Sequence, residues 1–174
     1  MAHSQNIVHA DIKPENVLIM KNGEIKVADL GISEVIGEGN EIEVSGKTLR
    51  YASPEVLETN KAGYESDIFS LGCTMYELFT HKCAFTPEKI LSEWPEVPEG
   101  LDNNMKYLIG TMLLKDKHLR PSAEKLCSME LLKEACLETK NSSEIILTED
   151  TRIDPTKTYN VTMTTKKADH KDTE

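Results

Sequence analysis

The chain has 174 residues, of which 39% are hydrophobic and only 5% aromatic, enough apolar content for one domain with a core. Thirty acidic side chains against 20 basic ones give a net charge of −10, which argues against nucleic acid and anionic membranes as partners. The cysteines, at Cys73, Cys83, Cys127 and Cys136, lack metal-ligand spacing and are expected to be idle thiols in a reducing compartment. Neither a signal peptide nor an apolar run of membrane-spanning length is read in the sequence, so a cytoplasmic or nuclear location is expected. The sequons at Asn141 and Asn160 are then not expected to be used.

In chain order, Ile7-Val8 and Val17-Leu18-Ile19-Met20 read as short buried strands around a polar loop, His9 to Asn16. A polar loop held at both ends by a core suits catalytic groups; a strand-turn-strand with solvated side chains fits the same residues. The stretch Val17 to Asp29 predicts a hairpin around Asn22-Gly23. Gly31 to Leu57 is a long acidic connection without periodicity. After Ser66-Asp67, the residues Ile68, Leu71, Gly72, Met75, Leu78 and Phe79 fall on one face of a helix expected to be deeply buried. Pro87, Pro95 and Pro98 mark a loop-rich stretch around Trp94. Helices are predicted in MKYLIGTMLL and, just after Pro121, in SAEKLCSMELLKEACLE. Beyond Leu137 the polar composition predicts a mostly disordered tail, and no internal repeat is evident.

The opening loop, His9-Ala10-Asp11-Ile12-Lys13-Pro14-Glu15-Asn16, resembles the protein kinase catalytic loop H-R-D-L-K-x-x-N. Thirteen residues after Asn16, Asp29-Leu30-Gly31 is similar to the kinase D-F-G. TLRYASPE (Thr48 to Glu55) resembles the segment that closes the activation loop, SDIFSLG the opening of the large C-lobe helix, and KDKHLRPS a further C-lobe element. Their order is the family's order, and the resemblance covers residues 1–136, leaving 137–174 as the tail. Lys13 with Pro14, together with Thr48, matches serine/threonine kinases better than tyrosine kinases. Small-molecule phosphotransferases share an H-x-D-x-x-x-x-N loop, but they lack Lys13 at this offset, the SPE segment and the DIFSLG helix.

The resemblance implies a mainly α fold with a small β-hairpin, a kinase-like C-lobe fragment, working with ATP and Mg²⁺ on protein Ser/Thr. Phosphoryl transfer asks chiefly for positioning and charge neutralisation. Asp11 would orient the substrate hydroxyl and accept its proton, with Lys13 as a point charge near the transferred phosphate. Asn16 and Asp29 would give oxygen ligands to Mg²⁺, Leu18 an apolar floor under adenine, and Thr48 a hydrogen bond across to Asp11 and Lys13. Glu15 lies with the ATP-side loop residues, at a position that contacts a substrate Arg in basophilic kinases, so a basic protein substrate is expected. His9, Glu55, Asp67 and Arg120 would be structural: His9 packing and hydrogen-bonding, Asp67 accepting from the loop backbone, Glu55 pairing with Arg120.

Three departures from the family pattern carry consequences. Ala10 stands where many kinases have an Arg that grips a phosphorylated activation loop, and Glu34, Glu38, Glu41 and Glu43 would repel such a phosphate. Leu30 and Phe69 replace a Phe and a Trp, both apolar. By the resemblance, Met1 would fall in the last turn of the helix that leads into the catalytic loop, so this chain is expected to lack the Gly-rich loop, the V-A-I-K lysine and its Glu partner. Two functions follow as expectations: a serine/threonine kinase represented by a truncated, inactive catalytic domain, or a non-catalytic C-lobe remnant that binds a protein partner. If the missing half exposes on the order of 500 Å² of apolar surface, the cost is about 12 kcal/mol, which rivals a domain's total stability. A partner covering that C-lobe face is therefore expected.

Overall fold

The computed structural model describes residues 3–29, 34–35, 41–44, 48–86, 88–93, 100–130 and 132. Leu30, Gly31, Glu38, Ser45, Pro87, the Trp94 stretch with Pro95 and Pro98, Cys136 and the tail 137–174 lie outside the described residues. Among the described residues, helices are joined by three two-stranded antiparallel sheets, where the sequence had suggested one hairpin. β1 (Ile7–Val8) pairs with β4 (Glu34–Val35), β2 (Val17–Ile19) with β3 (Ile25–Val27), and β5 (Ile42–Glu43) with β6 (Lys61–Ala62). The two extra sheets join segments far apart in sequence, which local alternation cannot reveal.

The β2–β3 hairpin turns one residue earlier than Asn22-Gly23 suggests. The Gly23 N–H bonds the Met20 carbonyl at 2.8 Å, and the Met20 N–H bonds the Glu24 carbonyl at 2.8 Å. Lys21 and Asn22 make the turn, while Gly23, at φ 79, fills the left-handed position that follows. The hairpin is also not buried. Ile25 is 66% exposed and Leu18 39%, because no described element covers this apolar ribbon.

Helices α1 to α4 follow in the described residues. α1 (Pro54–Thr59) starts with proline in its first turn and stops at Asn60, whose φ of 58 suits a residue that tolerates the left-handed region. α2 (Tyr64–Thr80) begins at Tyr64, two residues before Ser66. Ser66 lies inside the first turn, where its hydroxyl accepts from the Gly63 N–H at 3.1 Å. α3 (Asn103–Met112) is capped by the Asp102 carboxylate, which accepts from Asn104 and Met105. α4 (Ala123–Ser128) is capped by Ser122. The helical course breaks at Met129, extended at φ −66, ψ 133; Glu130 and Leu132 are helical again, and the rest of the expected helix lies outside the described residues. The Ser128 hydroxyl donates to the Lys125 carbonyl at 2.7 Å, competing with the helical ladder at that point.

The main core forms around α2. Ile68, Phe69, Cys73 and Tyr76 pack with Leu108, Ile109, Met112 and Leu113 of α3 and its end, and with Phe85 and Ile90. Gly72 is required there: a Cβ would stand 2.9 Å from the Met112 Cβ, inside contact distance. Burial pushes the Cys73 thiol well up, so it behaves as a small apolar group. The last turn of α2 departs from the expected buried face, with Leu78 and Phe79 exposed. A second cluster joins Val8, Ile42, Val44, Ala52, Val56 and Ala62. The loop from His9 to Asn16 leaves this second cluster at Val8, and its Pro14–Asn16 turn lies against α2.

Candidate active site

Val8 is fully buried and fixes where the loop begins. Two residues on, the backbone takes a sharp course with Ala10 at φ 63, a conformation that L residues enter at a cost. The Asp67 carboxylate offsets that strain. Its Oδ2 accepts the His9 N–H and its Oδ1 the Ala10 N–H, both at 2.8 Å. Asp67 is buried in the first turn of α2, where exposed helix N–H groups favour a negative charge. His3 Nε2 also donates to Asp67 Oδ2 at 2.8 Å, and its ring packs on Tyr64 with centroids 4.7 Å apart. His9 is buried: Nε2 donates to the Ala28 carbonyl at 3.1 Å, and Nδ1 accepts from the Asp11 N–H at 3.3 Å. Both ring nitrogens are engaged with backbone, which suits a structural role.

Held in this way, Asp11 meets three donors, two from its own loop and one from the distant segment that carries Thr48. Thr48 Oγ1 donates to its Oδ1 at 2.9 Å, while the Lys13 ammonium and Asn16 Nδ2 both donate to its Oδ2. Lys13 also reaches Thr48 Oγ1 at 3.3 Å, and Asn16 Nδ2 donates to the Asp11 carbonyl at 2.8 Å. Asp11 and Asn16 are buried but adjoin the surface through the partly exposed Lys13. The hairpin ladder continues to Asn16, whose carbonyl accepts the Ala28 N–H at 2.7 Å. Asp29 is thereby placed one residue beyond that pair, exposed and at φ 64. Since Asn16 Nδ2 is committed to Asp11, the oxygen it can offer outward is Oδ1, a donor type that hard cations accept. Leu18 stands exposed on β2, and Glu15 is exposed in the 3₁₀ turn Pro14–Asn16.

The segment carrying Thr48 is tied down from behind. The Tyr51 N–H bonds the Thr48 carbonyl at 3.1 Å, the Ser70 hydroxyl donates to the Tyr51 carbonyl at 2.8 Å, and the Tyr51 hydroxyl donates to Glu77 Oε2 at 2.8 Å. Burial, then the Glu77 carboxylate and more weakly Glu15, push the Tyr51 hydroxyl far up, so it stays a donor. Further on, Arg120 and Glu55 meet in a two-pronged ion pair at 2.7 and 2.9 Å. The remaining Arg120 N–H bonds go to the carbonyls of Leu114, Glu65 and Lys115, which satisfies all five donors. Its guanidinium also lies 4.9 Å above the Phe69 ring centroid. Burial pushes the Glu55 carboxyl up, but the Arg120 hydrogen bonds and charge outweigh it and hold the group below its ordinary range.

The structure thus brings Asp11, Lys13, Asn16 and Thr48 into direct contact, with Asp29 one residue past the hairpin pair that bears Asn16. It keeps His9 and Asp67 beneath them and Glu55–Arg120 in the adjoining core. Three contributors lacked a local signal in the sequence: His3, the Tyr51–Glu77 bond, and an ion pair at 2.6 Å between Glu41 and Lys117. Hydrogen bonding to Lys117 lowers the Glu41 carboxyl, and the same contact raises the Lys117 ammonium.

The family model described as "Protein kinase domain" matches residues 1–132 of the chain. Serine/threonine-protein kinase PDK1 of Cryptococcus neoformans is 35% identical over 134 residues, covering 69% of this chain and 11% of that protein. Serine/threonine-protein kinase Nek6 of Oryza sativa subsp. japonica is 31% identical over 153 residues, covering 83% of this chain and 28% of the relative. Serine/threonine-protein kinase nekl-2 of Caenorhabditis elegans is 32% identical over 139 residues, covering 75% and 39% respectively. The chain therefore spans between 11% and 39% of the length of these curated relatives. Read with the geometry of the His9–Asn16 loop, the match over residues 1–132 shows that the chain belongs to the protein kinase family, of the eukaryotic serine/threonine type.

Proposed function

We propose that residues 1–136 are the C-terminal-lobe portion of a kinase domain that transfers the γ-phosphoryl group of ATP to Ser or Thr hydroxyls of cytoplasmic or nuclear proteins. One observation carries this reading: the Asp11 carboxylate, gripped by Thr48, Lys13 and Asn16, stands beside an open hairpin face. A carboxylate so held keeps a fixed aim and the charge needed to take a proton. As the substrate oxygen bonds to phosphorus and the bond to the ADP oxygen breaks, the hydroxyl proton passes to Asp11. Lys13 offsets negative charge on the phosphate oxygens, and Leu18 gives adenine an apolar surface. Asn16 and Asp29 would hold Mg²⁺, which when bound neutralises the phosphates and fixes their orientation. The open apolar side chains of β2 and β3 favour a covering lobe or partner on that side.

The test joins this chain to the N-terminal lobe of a serine/threonine kinase relative. The joined protein is expected to move labelled γ-phosphate to Ser/Thr of a generic substrate in a Mg²⁺-dependent way, and the chain alone to move none. A joined protein that binds nucleotide but labels nothing would sink the proposal.

Substrate choice gives a second expected result. Glu15 is exposed within the catalytic loop, and its charge reaches Tyr51, three residues after Thr48. Peptides with a basic residue near the acceptor should therefore be favoured several-fold, on the order of one surface ion pair. Glu15→Ala should flatten that preference on a peptide array; an array without basic bias from the start would remove the idea.

A further inference from the structure

The segment that leads to Thr48 is anchored in a way the site chemistry does not explain. Exposure alternates along it: Glu41 and Glu43 face outward, while Ile42 and Val44 are 5% and 6% exposed. The two buried side chains pack with Val8, Ala52, Val56 and Ala62, so they rest on β1, which leads into the catalytic loop, and on α1. Their backbone is paired too. Ile42 stands opposite Ala62 and Glu43 opposite Lys61, and the Val44 N–H bonds the Asn60 carbonyl at 2.9 Å. At the outer end, Glu41 meets Lys117, three residues before Arg120. Three residues lie between Val44 and Thr48, and beyond Thr48 the chain returns to the same cluster at Ala52, with the Tyr51 N–H bonded to the Thr48 carbonyl, so Thr48 is held from both sides. At the head of the loop Ala10 presents only a methyl group, without a charge to capture a phosphate.

We propose that Glu41–Val44 is a phosphate-independent clasp: by apolar burial, strand pairing and the Glu41–Lys117 ion pair it positions Thr48 against Asp11. The proposal rests on reading Thr48 as the substrate-positioning residue of a kinase. The buried pair does most of the holding, since a half-exposed ion pair contributes little by itself. Glu41 and Lys117 fix the register in which Ile42 and Val44 enter the cluster. A segment held by side chains that are always present needs no modification to reach its working position.

Amide hydrogen exchange on the full 174-residue chain tests this without requiring nucleotide or phosphoryl transfer. In the unaltered chain the Val44 and Tyr51 amides are expected to be protected. Ile42→Ser should speed exchange at both by about tenfold, leaving the Leu113 amide at the end of α3 unchanged. Ile42→Val should restore protection. Lys117→Glu should give a smaller acceleration of about threefold, reversed by adding Glu41→Lys. Ser45→Ala should change none of these rates. Unprotected Val44 in the unaltered chain overturns the proposal, as does faster exchange at Val44 without any at Tyr51, or faster exchange in Ser45→Ala. If Ile42→Ser also exposes Leu113, the charge-reversal pair decides: rescue supports the clasp, and the absence of any effect overturns it. Protected Val44 and Tyr51 in a chain whose joined form transfers no phosphate would remove the kinase reading and leave the clasp as observed.

Discussion

Asp11→Asn, placed in the joined two-lobe protein, is expected to lower kcat by about 10²–10⁴-fold while the peptide KM changes little. The substitution keeps the shape of the side chain but removes its charge and its capacity to take a proton. It also spoils the local hydrogen bonding. Thr48, Lys13 and Asn16 all donate to Asp11, and an amide nitrogen in place of one oxygen sets a donor against a donor. Lys13 would lose its counter-charge, a further reason for the phosphate to sit differently. Because Asp67 holds the loop through the backbone of His9 and Ala10, the fold should survive, and an unchanged melting temperature checks this. Steady-state kinetics give the decision. A fall in kcat of less than about tenfold would end the assignment of Asp11 as proton acceptor.

Legibility in the sequence tracks how local each interaction is. Asp11, Lys13 and Asn16 fall within one turn-sized stretch, and their contact could be anticipated from spacing because a short loop leaves few ways to place them. Asp67, Glu55 and Arg120 could be located only through resemblance to kinases, since nothing local ties a carboxylate in α2 to the backbone of the loop. His3–Asp67, Tyr51–Glu77 and Glu41–Lys117, separated by 64, 26 and 76 residues, left no trace in any periodicity. The β1–β4 and β5–β6 pairings likewise join segments distant in sequence. Composition does not decide burial: Val17 to Met20 has the make-up of a core strand, yet Leu18, Ile19 and Met20 are exposed because exposure depends on what lies above them. α2 starts before Ser66 because that residue, a good cap by type, acts from inside the turn while Gly63 takes the cap position. The break at Met129 that ends α4 sits beside a side-chain bond at Ser128 that propensity does not record.

Arg120→Ala should cost about 3–5 kcal/mol, the range found when one partner of a buried ion pair is removed. The reason lies in what remains behind. Glu55 would keep its charge in a mostly buried position with Ser66 as a donor, and the carbonyls of Leu114, Lys115 and Glu65 would lose their common partner. The stacking on Phe69 would go as well. Against a total stability of roughly 5–15 kcal/mol, a loss of this size leaves little margin. Arg120→Met with Glu55→Leu should recover much of it, since apolar replacement of both charges avoids the unpaired carboxylate. The sign with pH follows from Glu55, whose folded value lies below its unfolded one near 4.5. Its contribution is fully present above that unfolded value and is lost as pH falls through the folded one. Urea unfolding of the unaltered chain should therefore weaken below about pH 4.5, while Glu55→Gln, already less stable at neutral pH, should show a shallower acid limb. A loss under about 1 kcal/mol for Arg120→Ala, no larger than for an exposed pair, would show that the pair does not anchor this core.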